Sequence, residues 1–310
     1  MDADAPAALE SSSRTDPAPW HSFTPRSAAG IAAHPEGRLC RVQCCVALFV
    51  AAACVWLLHH QWVPAIGQAI ARLPHPGGSV KGGLLHWPEA RPRMLTPVDA
   101  PPFLHVIVDP LDEEDHSLIA DIQVELRERS LQVSSLFGFV RVGYPQGWDL
   151  KLDREWLGPW WESRRPFLLA ALGAGVVAVL LLMWNLLAFG GAWMVRAFAL
   201  FADRQASFMV CWRLAAAALM PGAVVLGMGI LCYSMELLPL TGLVVVYALH
   251  LLITGAYWVA APFFLPPLGS AASASNPFAE AAQASPAPAP LENPFGSGDS
   301  EGGGPPAPVA

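Results

Sequence analysis

Long runs of apolar residues dominate the second half of the chain. Between residues 166 and 266 only five side chains carry a formal charge: Arg196, Asp203, Arg204, Arg213 and Glu236. A helix needs about 20 consecutive apolar residues to cross the hydrocarbon core of a bilayer. This stretch therefore predicts a unit of three membrane-spanning helices, at residues 167–189, 214–233 and 240–264.

A fourth apolar run lies near the N-terminus, at residues 42–63. Basic residues precede it, and it closes on His59, His60, Gln61 and Trp62, a pattern typical of a membrane anchor with an interfacial aromatic residue. Residues 1–41 are rich in Ala, Ser and Pro without helical or strand periodicity, which predicts a disordered tail. A tail of this length does not fit a cleaved signal peptide, which begins with a short basic stretch.

The segment between the first two spans, residues 64–166, is polar, charged and broken by Pro and Gly, which predicts a small β-rich (α+β) domain outside the bilayer. Residues 118–126 alternate as a strand does, and we expect their apolar face to be Leu118, Ala120, Ile122, Val124 and Leu126. Three other runs predict strands or hairpins, at residues 103–108, 131–142 and 78–87.

Residues 149–165, directly before the second span, predict a partly helical segment with Asp153 as its N-cap and an interruption at Gly158 and Pro159. The segment carries Trp156, Trp160 and Trp161 on neighbouring turns. Because indole rings favour the headgroup level, we expect these three residues and Trp62 to lie at the membrane interface. The alternative is a buried aromatic cluster inside the domain.

The order of these elements predicts an α-helical polytopic membrane protein of four transmembrane helices, with the β-rich domain inserted between the first and second helix. Basic residues in short loops favour the cytoplasm. The deciding residues precede the first span or lie between the second and third: Arg14, Arg26, Arg38, Arg41, Arg196, Arg204 and Arg213. Arg164 and Arg165 oppose this assignment, and the short loops outweigh them. We expect a multi-pass protein of the inner (plasma) membrane with both termini cytoplasmic.

Composition agrees with a membrane protein. The chain of 310 residues is 54% hydrophobic and only 14% charged, whereas about a quarter of the residues in a soluble protein are charged. The net charge of -7 comes without a cluster of Lys and Arg, so we expect no nucleic acid as a partner. The expected partners are the lipid bilayer and one or more proteins in the membrane.

Motifs of common enzyme classes are missing from the sequence. It has no Gly-rich phosphate loop, no His-Glu-x-x-His, no Gly-x-Ser-x-Gly and no Cys-x-x-Cys. An acidic run at residues 109–115 lacks the spacing of an EF-hand and predicts a solvated turn. The group Cys40, Cys44 and Cys45 suits acylation or a metal, but it has no fourth ligand at suitable spacing. We therefore expect a non-catalytic protein without metal or cofactor.

His250 lies near the middle of the fourth span. An ionisable residue at membrane depth is a hypothesis for a functional site, and haem ligation, a proton relay and an interhelical hydrogen bond are the alternatives. We favour the hydrogen bond, because no second deep His is evident on another span. In the third span Pro221 predicts a helix kink, and Gly222, Gly227 and Gly229 predict close approach of a neighbouring helix.

The last segment, residues 267–310, is rich in Ala, Pro, Gly and Ser, which predicts a disordered cytoplasmic tail. Two tripeptides within it repeat, Asn276-Pro277-Phe278 and Asn293-Pro294-Phe295. A disordered segment can bind through a few anchors, so the repeats are docking candidates. Chance recurrence in a biased tail is the alternative.

Residues Trp212-Arg213-Leu214 through Leu219-Met220-Pro221 form a motif in which an Arg is followed by an apolar run that contains Pro. This resembles the start of the third span in a bacterial family of uncharacterised membrane proteins near the Yip-like clan. Residues 105–109 and 122–133 are similar in style to strands of that family. The resemblance covers residues 42–266 and implies its architecture of one span, an external β-rich domain and three further spans. It implies no activity.

Two functions follow from these expectations. In the first, the protein is a non-catalytic membrane scaffold or adaptor that acts through protein partners. In the second, it is a small transport or redox component that uses His250. We favour the first, because the apolar runs contain so few polar groups.

Overall fold

The computed structural model describes residues 24–33, 37–97, 101–111, 117–204 and 206–265. It contains both helix and sheet. Four helical stretches are long and apolar enough to cross a membrane: Gly37–Ala71, Arg154–Phe201, Phe208–Ser234 and Leu240–Phe264. Four helices of this kind and a strand-rich part were predicted from the sequence, and both are confirmed.

Six α-helices make up the helical part. They are α1 (Pro25–Ala33), α2 (Gly37–Leu57), α3 (Val63–Ala71), α4 (Arg154–Phe201), α5 (Phe208–Ser234) and α6 (Leu240–Ala260). A π-helical segment, Leu58–Trp62, joins α2 to α3 without a break, and a 3-10 turn, Ala261–Phe264, extends α6. Pro64 has no N–H to give to the preceding turn, and the helix widens directly before it.

The helices begin and end differently from the sequence expectation. Pro25–Ala33 are helical, with Ala28 and Ala29 buried, where a tail without structure was expected. Asp153 caps α4 as predicted, accepting a hydrogen bond from the backbone N–H of Glu155 over 3.3 Å. The expected interruption at Gly158 and Pro159 is wrong, because the proline φ is already helical and a 48-residue helix tolerates the loss of one backbone bond.

Helix α5 occupies the centre of the bundle, and α2, α4 and α6 pack around it. Its middle is rich in small side chains, so its neighbours approach closely and most of its surface is buried. The expected role of the glycines is confirmed: Gly222 and Gly229 face α6, and Gly227 faces α2. In the apolar windows of α4 and α6 only 6% of the residues are buried.

Polar bonds tie the helices together at both ends of the bundle. At one end the Gln61 side-chain amide donates to the carbonyl oxygen of Ser234 over 2.7 Å. At the other end the Arg204 guanidinium donates to the carbonyl oxygen of Leu265 over 2.8 Å. We call the end with Gln61 the strand end, because the strand-rich part lies there. We call the end with Arg204 the arginine end, because the arginine-bearing α4–α5 connection lies there.

The strand-rich part contains two sheets. The strands are β1 (Gly78–Lys81), β2 (Leu84–His86), β3 (Arg93–Met94), β4 (Leu104–Asp109), β5 (Ile122–Arg127), β6 (Ser130–Ser135), β7 (Gly138–Gly143) and β8 (Asp149–Leu152). The smaller sheet has the order β2-β1-β8, and the larger has the order β3-β4-β5-β6-β7. Among the described strands, β4 and β5 alone pair in parallel. Residues 149–152, expected to be helical in part, are strand β8 because they pair with β1.

The larger sheet buries its polar face more completely than its apolar face. On β5 the expected apolar residues Ile122, Val124 and Leu126 are half-buried, whereas Gln123, Glu125 and Arg127 are 0%, 1% and 3% exposed. The polar side chains bond to one another. Gln123 Nε2 donates to Glu125 Oε1 over 2.7 Å, and the Arg127 guanidinium donates to Glu125 Oε2 over 2.8 Å. Mutual pairing of this kind lets a strand bury charge.

The strand-rich part contacts the helices through α3 and α5. Val108 of β4 packs in one apolar cluster with Ala69 of α3. At the C-terminal end of α5 the Tyr233 hydroxyl donates to Asp121 Oδ2 over 2.7 Å, and the Tyr233 ring meets the Phe103 ring edge-on at 4.9 Å. The start of β4 and the start of β5 therefore face the strand end of the bundle.

Buried His105 on β4 makes the stability of the larger sheet dependent on pH. The backbone N–H of Val106 donates to Thr96 Oγ1 over 3.2 Å, which leaves the hydroxyl proton for His105 Nδ1, 3.0 Å away. Burial lowers the pKa of His105. In the unfolded chain the pKa of His105 returns to about 6.5. The neutral, buried ring therefore contributes its full share to the stability of the folded state above that pH, and this stability is lost as the pH falls below it.

We expect the unfolding midpoint of the purified chain to be constant from pH 8 to about 6.5 and to fall below that. His105→Asn, which keeps an acceptor near the Nδ1 position, should flatten the fall. The matched control is His86→Asn, since His86 is an exposed strand histidine. An equal fall in wild type and His105→Asn would contradict the assignment.

Candidate functional site

His250 lies on α6 against the backbone of α5. A Cβ added at Gly222 would come within 2.6 Å of His250 Nδ1 and 3.0 Å of Thr254 Oγ1. Both polar atoms are buried, and the His250 ring lies directly against the backbone of Gly222. The His250 ring packs against α5 next to Pro221, the predicted kink position in the interior of that helix, and the expected hydrogen bond from His250 to a neighbouring helix stays a prediction.

The π-helical segment carries two further histidines at the strand end. His60 Nδ1 lies 3.3 Å from the carbonyl oxygen of Trp56, and the two rings stack at 3.9 Å. His59 meets the His60 ring edge-on at 5.1 Å. Both histidines are exposed. Within the described residues no group of three or more His, Cys, Asp or Glu side chains is placed to hold a metal ion.

Two adjoining cavities run between α3 and the first turns of α4. One, of about 660 Å³, is lined by Ile70, Leu73 and Arg154, and the other, of about 610 Å³, reaches His59 and His60. Trp161 and Glu162 line both, so together they form one groove. The indole N–H of Trp161 is buried without a hydrogen-bond partner among the described residues.

Charges in the groove are mixed and partly paired. His75 lies 4.0 Å from Asp153, and Arg165 lies 3.6 Å from Glu162. A groove of this kind has room for a small polar molecule, and two of its carboxylates, those of Asp153 and Glu162, lie near a histidine and an arginine.

The predicted interface tryptophans lie near this groove. Trp156 and Trp160 stack with ring centroids 6.4 Å apart, and the guanidinium of Arg164 lies 5.0 Å above the Trp160 ring. Trp156 is exposed, and Trp160, Trp161 and Trp62 are half-buried. The first three belong to the same continuous helix as the second apolar run. Their position at a lipid interface stays a prediction.

The larger sheet ends in an open edge strand, β7. No further strand pairs with it in the described part of the chain. Phe139 and Val140, which point to opposite faces, are both 65% exposed. Val142 is exposed as well, and the Arg141 guanidinium donates to Gln132 Oε1 on β6 over 2.8 Å. An apolar edge with unpaired backbone groups is a ready template for another strand.

Several predicted residues remain apart from these features. Cys40 and Cys45 are exposed and Cys44 is half-buried, all three on α2 at the arginine end. The two Asn-Pro-Phe repeats, Asn276, Pro277, Phe278, Asn293, Pro294 and Phe295, lie outside the described residues. The groove and the open edge were not predicted from the sequence, although the run Gly-Phe-Val-Arg-Val-Gly at residues 138–143 is a signal for the latter.

No protein-family model, no curated protein and no solved structure matches this chain.

Proposed function

We propose that this chain is a multi-pass membrane protein of the inner (plasma) membrane that acts as a non-catalytic scaffold or adaptor for protein partners. The exposed apolar surfaces of α4 and α6 support insertion, because contiguous apolar surface of this extent needs lipid or protein to cover it. The strand end is then extracytoplasmic and the arginine end cytoplasmic. The proposal includes kinship with the bacterial family near the Yip-like clan, whose order of elements this chain resembles.

The length of α4 supports the same arrangement. Its 48 residues extend over about 72 Å at 1.5 Å per residue, far more than the roughly 30 Å of a hydrocarbon core. The first turns of α4, packed beside α3, therefore stand outside the bilayer and carry the strand-rich part. Both chain termini lie on the cytoplasmic side after four crossings.

The open edge of β7 carries the scaffold function. An extended segment of a partner can add to this edge through backbone hydrogen bonds, and its side chains can cover Phe139, Val140 and Val142. These side chains are exposed on a strand whose other edge is fully paired with β6. The expected partner is a protein with an extended segment whose apolar side chains can pack on this edge.

The test is native mass spectrometry of the full chain, gently extracted from its own membranes. We expect a stoichiometric protein partner on the unchanged chain and its loss from the double variant Val140→Lys with Val142→Lys, because lysines on an edge strand oppose further pairing. Both positions are exposed, so the unfolding midpoint should stay the same. The matched control is Leu111→Lys, exposed but outside β7, which should keep the partner.

His250→Ala separates this function from a transport or redox role. We expect the variant to keep its partner, because the proposed docking edge is on β7 and not on α6, while the loss of a packed side chain lowers the stability of the bundle. A haem- or metal-sized mass that disappears in His250→Ala would favour the second function. Retention of the partner by the lysine variant would remove β7 as the docking edge.

A further inference from the structure

The turn between β6 and β7 carries two large apolar side chains that are exposed on the surface. Ser135 pairs with Gly138, so the connection is the two-residue turn of Leu136 and Phe137. Asn, Asp and Gly usually occupy such turns, because their conformational freedom suits the backbone and their polarity suits water. Here Leu136 is 54% exposed and Phe137 78% exposed. Local turn geometry does not require this pair of residues.

The register of the sheet places this turn at the strand end of the bundle. Ile122, the first residue of β5, pairs with Ser135, the last residue of β6. Asp121, one residue earlier, accepts the hydrogen bond from Tyr233 at the C-terminal end of α5. Leu136 and Phe137 therefore project from the edge of the sheet that faces the end of the helices.

Further exposed apolar side chains occur at the same end. They come from the segment before β5 and from the connection after α5: Leu118, Ile119, Met235 and Leu237. The Ile119 N–H donates to Gln123 Oε1 on β5 over 3.3 Å, which keeps its segment beside the start of that strand. Three separate segments thus expose apolar side chains where the apolar helices end.

We propose that the Leu136–Phe137 turn is a lipid anchor that inserts into the outer surface of the bilayer. This inference rests on the proposed membrane insertion of the helices, since the anchor lies at the end of their apolar surface and continues it. The occupant is phospholipid, because the Tyr233–Asp121 bond sets the start of β5 at the end of α5, and Ser135, the residue before the turn, pairs with Ile122 at that start. The anchor would fix the orientation of the larger sheet and hold the open edge of β7 at a fixed distance from the bilayer surface.

The experiment uses spin labels on the full chain in phospholipid nanodiscs, with the six natural cysteines replaced. The label is placed at Phe137→Cys, and its depth is read from collisions with oxygen, which partitions into lipid, and with a nickel chelate, which stays in water. We expect a depth of about 5–10 Å below the headgroup boundary, as for apolar side chains of interfacial elements.

Two matched positions make the result interpretable. Val142→Cys lies on β7 and is 56% exposed, but it lies about 16 Å farther along the strand from the turn at 3.3 Å per residue, so its label should be in water. Leu182→Cys is 61% exposed in the middle of α4 and should be deep in lipid. A lipid signal at 182 with a water signal at 137 overturns the anchor alone. A water signal at both positions overturns membrane insertion itself.

A photo-crosslinking amino acid at position 137 in the chain with its natural cysteines gives a second measurement, should the cysteine-free chain not fold. Irradiation of whole membranes should add the mass of a phospholipid at 137, and the same substitution at 142 should add none. Attachment of a protein at 137 would overturn the lipid anchor and make the turn part of a protein interface. The absence of any adduct at 137, with lipid adducts at 182, would also overturn it.

Discussion

Replacement of Arg127 by Met is expected to lower the stability of the larger sheet by about 3–5 kcal/mol, the usual cost of removing one partner from a buried ion pair. Glu125 is 1% exposed and accepts from Arg127 Nε over 3.0 Å and from Nη2 over 2.8 Å. Without the guanidinium the carboxylate stays buried without its cation. Hydrogen exchange of the β4–β6 amides in the full chain measures the loss.

A second substitution distinguishes the buried charge from lost packing. Glu125→Gln added to Arg127→Met should recover part of the stability, because the amide oxygen still accepts from Gln123 and the charge of Glu125 is removed. The control is Arg129→Met, whose pairing with Glu128 at 3.9 Å is exposed and is worth at most about 1 kcal/mol. If both arginine variants lose the same stability, burial of the pair is not the cause.

Gly222→Val is expected to destabilise the helix bundle by about 3 kcal/mol, at the upper end of the usual cost of overpacking. A Cβ at this position would meet the carbonyl oxygen of His250 at 2.8 Å. A flexible side chain can rotate away, but a backbone carbonyl cannot, so α5 and α6 must separate. The unfolding midpoint of the full chain in detergent measures the effect.

Gly175→Val is the matched control for this substitution. Gly175 lies on α4, inside an apolar run, and a Cβ there would meet nothing within 4 Å. We expect an unchanged or slightly higher midpoint, since glycine is about 1 kcal/mol less favourable than alanine in a helix interior. Equal losses for the two variants would show that helix propensity, and not the α5–α6 contact, sets the result.

The long helices were predictable because each is a property of a continuous run of residues. Apolar runs of about 20 residues are specific enough to indicate a helix without knowledge of its neighbours. The N-cap at Asp153 is likewise local, since it involves the first backbone N–H groups of α4. The continuation of α4 through Pro159 was missed, because a single proline ends a helix or is tolerated according to what packs around it.

The faces of β5 show where local pattern fails. Alternation in residues 122–126 correctly separates apolar from polar side chains, but it does not say which face lies deeper in the fold. Residues 118–121, expected to belong to the same strand, precede it, because β5 begins at Ile122. Gln123, Glu125 and Arg127 are buried because they bond to one another on the central strand of a five-stranded sheet. That outcome depends on the order of the strands in the sheet, because β5 pairs in parallel with β4, from which a connecting segment separates it along the chain.

The candidate surfaces depend on tertiary structure even more strongly. His250 was noticed because it is polar in an apolar run, yet only the contact with Gly222 shows that it fills the seam between α5 and α6. The groove joins α3 to α4 across more than 80 residues of sequence. The position of the Leu136–Phe137 turn at the strand end of the bundle follows from the hydrogen bond between Tyr233 and Asp121, which are 112 positions apart in the sequence.

The sequence by itself determined the four apolar helices, the strand-rich insertion and the poverty of catalytic motifs, because each follows from runs and spacings of neighbouring residues. The tertiary structure decided which helix lies in the centre, which face of β5 is buried and which strand edge stays open. Those outcomes follow from packing between segments distant in sequence, where close approach and mutual hydrogen bonding select one arrangement among many that the local pattern permits.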